Sequence, residues 1–105
     1  MENSYEHQIF IGCYDLKAER EAISESRLRE MITYFFESRK IDFSMLSCQG
    51  GYLHEEGWFI TENSICIDVI GDPDLDVISL AKKLSIYLNQ ESILVVRNAL
   101  KTDFC

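Results

Sequence analysis

Six segments of this chain alternate between strand-like and helix-like spacing of their apolar residues, in the order β-α-β-β-α-β. The first strand is predicted from His7 to Tyr14, where Ile9, Ile11 and Cys13 alternate with Phe10, Gly12 and Tyr14, so both faces are apolar or aromatic. A charged loop from Asp15 to Ile23 follows. Ser24 then offers an N-cap before Leu28, Met31, Ile32, Phe35 and Phe36, which recur at helical spacing. That helix is predicted to end near Ser38 to Lys40, with Arg39 and Lys40 set against its C-terminal dipole.

The second strand is predicted from Phe43 to Gln49, broken by Gly50-Gly51, and Tyr52 to Gly57 reads as a turn. The third strand is predicted from Trp58 to Ile70. Within it Thr61-Glu62-Asn63-Ser64 interrupts the apolar alternation, the mark of a bulge or an exposed stretch. Asp72 as N-cap and Pro73 at the first helical position open a second helix, whose stripe of Val77, Leu80, Ala81, Leu84, Tyr87 and Leu88 stops at Asn89. The last strand is predicted from Ser92 to Leu100, with Ile93, Leu94, Val95 and Val96 in succession, and a short tail ends at Cys105.

This order predicts an α+β, ferredoxin-like sandwich: a four-stranded antiparallel sheet with spatial strand order 4-1-3-2 and two helices on one face. The 105 residues suit a single domain with one core. The second sheet face is left open, and Phe10, Tyr14, Leu94 and Val96, with Leu46, are expected to populate it. An exposed apolar face of that kind marks an interface, and a homo-oligomer packed through it is the economical expectation. The alternative is that the tail with Phe104 folds across it.

Two ends of the sheet are candidates for a site. At one, the loop Tyr14 to Ile23 is expected beside the start of the second helix, with strands one and three taken to run parallel. Asp72, Asp74 and Asp76 fill that helix start with carboxylates. Lys17, Arg20 and Arg27 surround the first helix start and suit a small anion, although interleaved Glu19, Glu21 and Glu25 favour a solvated charge pattern. The other end is the stronger candidate. There Tyr52, His54 and Trp58 are expected to supply stacking or hydrogen-bonding surfaces, Arg97 and Lys101 positive charge, and Glu56 and Glu62 carboxylates, around a small anionic nucleotide-like ligand. The competing reading is an amphipathic hairpin with Trp58 as a core plug.

Composition narrows the function classes. With 18 acidic against 10 basic residues and a net charge of −8, binding bulk nucleic acid through many phosphates is disfavoured. The acidity serves solubility or a basic protein partner. The N-terminus lacks the pattern of a signal peptide and no apolar run approaches membrane-spanning length, so a soluble, cytoplasmic protein without membrane association is expected. Cys13, Cys48, Cys66 and Cys105 are widely spaced without a Cys-x-x-Cys pair and read as reduced core residues. No metal or cofactor is expected, and a zinc site joining them to His7 or His54 is the weaker reading. The chain carries no phosphate loop, metalloprotease His pair or nucleophile elbow.

The segments Ile9 to Asp15, Gly51-Tyr52 through Gly57-Trp58, Thr61 to Ser64 and Asn89 to Val95 resemble a group of short uncharacterised proteins. That group occurs in bacteriophages and mobile elements of low-GC Gram-positive bacteria and carries a domain of unknown function with a ferredoxin-like outline. The resemblance implies a phage setting and no established activity. In that setting the chain reads as a non-enzymatic, counter-defence binding protein that sequesters a nucleotide-derived immune signal as a homo-oligomer. Two alternatives stay open: an acidic inhibitor that binds a host defence protein directly, and a weak hydrolase of a nucleotide signal.

Overall fold

The structure is a computed structural model that describes residues 2–15, 20–21, 23–71, 74–89 and 93–103; the side chains of Glu2, Asn3, Tyr14, Asp15, Arg20, Glu21, Tyr52 and Ile60 lie outside the description. Its elements are β1 (Glu2–Gly12), β2 (Tyr14–Asp15), β3 (Arg20–Glu21), α1 (Glu25–Ser38), β4 (Ser44–Leu53), β5 (Phe59–Gly71), α2 (Val77–Leu88) and β6 (Leu94–Thr102). The main sheet is four-stranded with order β4-β5-β1-β6 and antiparallel at every pairing. Taken as the first to fourth long strands, this is the expected ferredoxin-like 4-1-3-2 arrangement. The short β2 and β3 form a ribbon of their own, with Tyr14 opposite Glu21.

Alternation along the strands divides the sheet into two faces. Ile9 and Ile11 of β1 and Ile65, Ile67 and Val69 of β5 point to the helices, where they pack with Leu28, Ile32, Phe35 and Phe36 of α1 and Val77, Leu80, Leu84 and Leu88 of α2. Each such fully buried side chain contributes roughly 1.5–3 kcal/mol of hydrophobic stabilisation. Phe36 stacks on Phe43 at 5.0 Å and meets Phe35 edge-on at 5.3 Å, which locks the end of α1 to the chain entering β4.

The helix starts and stops have local causes. The Ser24 hydroxyl accepts the Arg27 amide at 3.3 Å and opens α1 as expected. At the other end Arg39 donates its guanidinium to the Phe35 carbonyl at 3.1 Å and lies over the Phe35 ring, satisfying an orphan carbonyl. Asn89 closes α2 in the left-handed conformation. Asp76, not Asp72, caps α2 by accepting the Ser79 amide at 3.0 Å. Asp72 and Pro73 lie outside the described residues, as do Lys17, Ser92, Phe104 and Cys105.

The hairpin joining β4 and β5 differs most from expectation. β4 does not stop at Gly50-Gly51; it continues to Leu53, and the turn is confined to His54–Trp58, closed by the His54 amide on the Trp58 carbonyl at 2.7 Å. Gly50 lies opposite Glu62 and Gly51 opposite Thr61, so pairing across the ladder outweighs the weak strand preference of glycine. The register is unbroken through Thr61 to Ser64, so this is an exposed stretch and not a bulge. Its polarity follows from position: β1 ends at Gly12, opposite Ser64, and the outer part of β5 pairs with β4.

Candidate functional site

The antiparallel pairing of β1 with β5 separates residues that sequence reasoning groups together. The tip of the β4–β5 hairpin follows the end of β4 and precedes the start of β5, beyond the end of β1, which stops opposite Ser64. β6 runs against β1, so Arg97 lies opposite His7 and Lys101 opposite Asn3, near the other end. His54, Trp58 and Glu62, with the backbone of Tyr52, therefore occupy one end of the sheet and Arg97 and Lys101 the other, with Arg97 roughly 35 Å from Trp58 at about 3.3 Å per residue. Within one chain these residues do not line a single pocket. For the same reason strands one and three are not parallel, and the loop after β1 lies at the end opposite the start of α2.

At the hairpin end Trp58 is half exposed and stacks face to face on His54, with ring centroids 4.4 Å apart and planes 6° from parallel. It is not a core plug. His54 Nδ1 accepts the Glu56 amide at 3.1 Å, so this histidine shapes the turn. At the far end the Arg97 guanidinium lies 3.8 Å over the Tyr5 ring, on the helix side of the sheet. Beside it His7 is buried, with Nε2 unpartnered. Burial, and then the charge of Arg97, hold its pKa below the usual histidine value.

The open face is where chemistry collects. The register puts Phe10 between Cys66 of β5 and Leu94 of β6, with Gln8 opposite Val96 and Leu46 opposite Cys66. Phe10, Leu46, Leu94 and Val96 thus lie on the face away from the helices, as expected, and Leu46 and Leu94 are more than half exposed. Tyr14 is a correction, because it belongs to the separate β2–β3 ribbon. The chain turns off the main sheet at Cys13, whose amide donates to the Asn63 carbonyl at 2.9 Å.

Carboxylates flank this apolar strip at both ends. Toward the hairpin, Glu62 lays its carboxylate over Gly12, in the space that a Cβ at residue 12 would occupy. Toward the start of β1, the Asp68 carboxyl shares a hydrogen bond with Glu6, and its Oδ1 is buried without a partner. Burial, the Glu6 hydrogen bond and the Glu6 charge raise the Asp68 pKa. Cys66 lies between, its thiol pKa pushed up by burial first and by Cys48 next. Sequence reasoning missed Glu6 and Asp68: the alternation Glu6, Gln8, Phe10 puts Glu6 on the open face, but only the register brings Asp68 beside it.

An aromatic and aliphatic strip flanked by carboxylates suits a flat, uncharged ring system carrying a cationic group. Among the described residues it lacks the cationic side chains that would hold a phosphate. Among the same residues no group of three metal-ligating side chains comes together, and no helix is long and apolar enough to cross a membrane. On α1, Arg27 pairs with Glu30 at 3.2 Å, while Arg29 donates to the Ser47 hydroxyl, which donates to Glu25; these cations knit α1 to itself and to β4.

No family model and no curated protein matches the chain. Solved structures do. A phage SAM lyase in complex with S-methyl-5'-thioadenosine is 25% identical, with a TM-score of 0.61 over 90% of this chain and 80% of that one. A phage SAM lyase in its apo state is 20% identical, with a TM-score of 0.66 over all of this chain and 98% of that one, a likeness of fold.

Proposed function

We propose that this protein binds S-adenosylmethionine on the open sheet face and splits it, releasing S-methyl-5'-thioadenosine. The observation that carries the reading is the likeness, at 25% identity over 90% of the chain, to a phage SAM lyase that holds S-methyl-5'-thioadenosine. The open face supplies compatible chemistry. Phe10, Leu46, Leu94 and Val96 offer an apolar bed for the adenine ring, and the Glu62 carboxylate over Gly12 offers a counter-charge for the sulfonium or ammonium.

Cleavage of this substrate asks little of the protein. When the bond from sulfur to the methionyl carbon breaks, the electron pair stays on sulfur and a neutral thioether leaves, so no general acid is required. As the thioether leaves, the substrate's own carboxylate oxygen bonds to that carbon and closes a five-membered lactone, the second product, so no activated water is required either. What remains is to desolvate the cation and hold the chain in a reactive conformation. A chain without catalytic motifs can do both.

A homo-oligomer that closes over the open face would exclude water from the bound cation, and Phe10, Leu94 and Val96 are its proposed contacts. Removal of a small adenosine compound by a phage-type protein remains a counter-defence activity, with cleavage in place of retention. The test is incubation of the purified protein with S-adenosylmethionine, followed by mass spectrometry of the adenosyl products. Methylthioadenosine formed in proportion to protein and time supports the lyase. Intact ligand recovered from the protein after denaturation supports sequestration, and absence of both overturns the assignment.

A further inference from the structure

We propose that the arm formed by the end of β4 and the start of β5 docks into the groove between α2 and β6 of a second copy of this chain. The arm stands clear of the rest of the main sheet, because β1 ends at Gly12 while β4 and β5 continue to Leu53 and Phe59. A two-stranded ribbon alone is marginally stable in water, and it gains most by burying its side chains against something else. This one is apolar outward. Leu53 and Phe59 form a directly opposed cross-strand pair, 62% and 74% exposed, on the helix side of the sheet but beyond the core. Trp58 adds a third exposed apolar surface, and the turn carries exposed Glu55 and Glu56.

The groove offers the matching surface. α2 commits Val77, Leu80, Ala81, Leu84 and Leu88 to the core, yet Ile78 and Ile86 lie outside that stripe, 54% and 82% exposed. With Ile93, just before β6, and Val95 of β6 they border a space of about 660 Å³, in the size range of sites that take large apolar groups. Lys82 is the charged residue of its lining, and exposed Lys83 adjoins it. An apolar arm tipped with two carboxylates thus faces an apolar groove marked by lysine, a complementarity of charge as well as polarity. On a chain of net charge −8 such pairing also offsets repulsion between copies.

The occupant is a second copy because one chain cannot satisfy itself. The arm belongs to the β4–β5 edge of the sheet and the groove to the β6 edge, with β1 between. Arm into groove is a heterologous contact, which closes into a ring when the rotation allows. It differs from face-to-face pairing through Phe10 and Leu94 and does not depend on the ligand.

Light scattering on three samples tests the contact: the wild-type chain, an arm variant with Glu55→Lys and Glu56→Lys, and a groove variant with Ile86→Glu. The expected result is an oligomer for the wild type at micromolar concentration and a lower mass for each variant. An equimolar mixture of the two variants then regains mass, since one intact arm and one intact groove remain in each pair. A monomeric wild type, variants that keep the wild-type mass, or a mixture no heavier than either variant alone would overturn the proposal. If a charge variant fails to fold by circular dichroism, Phe59→Ser and Ile86→Ser replace the arm and groove variants, with the same masses expected and the same outcomes overturning the contact. Masses are read without ligand, so failure of the lyase assignment leaves the contact standing.

Discussion

Gly12 and Glu62 form the smallest unit that links this sequence to its proposed chemistry. Because the obstruction at residue 12 is the far end of a flexible side chain, Gly12→Ala displaces the carboxylate and leaves the backbone in place. The expected outcome is a folded protein with at least tenfold weaker methylthioadenosine formation, about 1.4 kcal/mol of lost stabilisation, measured by product mass spectrometry. Glu62→Gln should behave alike. Asp68 gives a stability prediction. Its folded pKa is raised, so the native state holds its proton more tightly; stability is greatest below the unfolded value and falls as pH rises through the folded one. Asp68→Asn should therefore remove that decline and stabilise the neutral-pH protein by up to about 1 kcal/mol in thermal melts, since close like charges cost that much on a sheet. His7 works in the opposite sense: its depressed pKa means stability is lost as pH falls below the ordinary value of 6.5. His7→Leu should flatten that acid limb and cost little, because Nε2 makes no hydrogen bond to lose.

Helix boundaries are legible in the sequence because capping is local: Ser24 and Asn89 act within a few residues of themselves. The start of α2 is not, because Asp72 and Asp76 are both competent caps, and local chemistry does not rank them. The β4–β5 hairpin departs from its sequence reading because consecutive glycines usually end a strand, whereas here the partner strand supplies the hydrogen bonds that hold them extended. Nothing lies within 4 Å of a Cβ built on Gly50. Gly50→Thr should thus stabilise the protein by roughly 0.5–1 kcal/mol in denaturant titrations, by reducing backbone freedom in the unfolded chain and improving strand preference. Were residues 50–57 a turn, the same change would destabilise.

For the whole molecule, antiparallel pairing sets which residues can cooperate. It separates Arg97 from the hairpin aromatics and gathers Phe10, Leu46, Leu94 and Val96 into one strip with a carboxylate group at each end. If that strip is covered in an oligomer, Leu94→Glu should both lower the mass seen by light scattering and weaken methylthioadenosine retention in native mass spectrometry. A variant that stays oligomeric and binds normally would separate the ligand site from the interface.

Periodicity and caps are enough to read the β-α-β-β-α-β order and to put Leu94 and Val96 on the same face of their strand, because each depends on spacing within a segment; the strand order 4-1-3-2 follows from the ferredoxin-like topology that this element order implies. Relations between segments are not readable in the same way. That Glu62 reaches Gly12, that Asp68 meets Glu6, and that His54 and Trp58 sit far from Arg97 and Lys101 all follow from strand direction and register. These are set when non-local hydrogen bonds and the shared core choose one pairing among several that local patterning permits equally well.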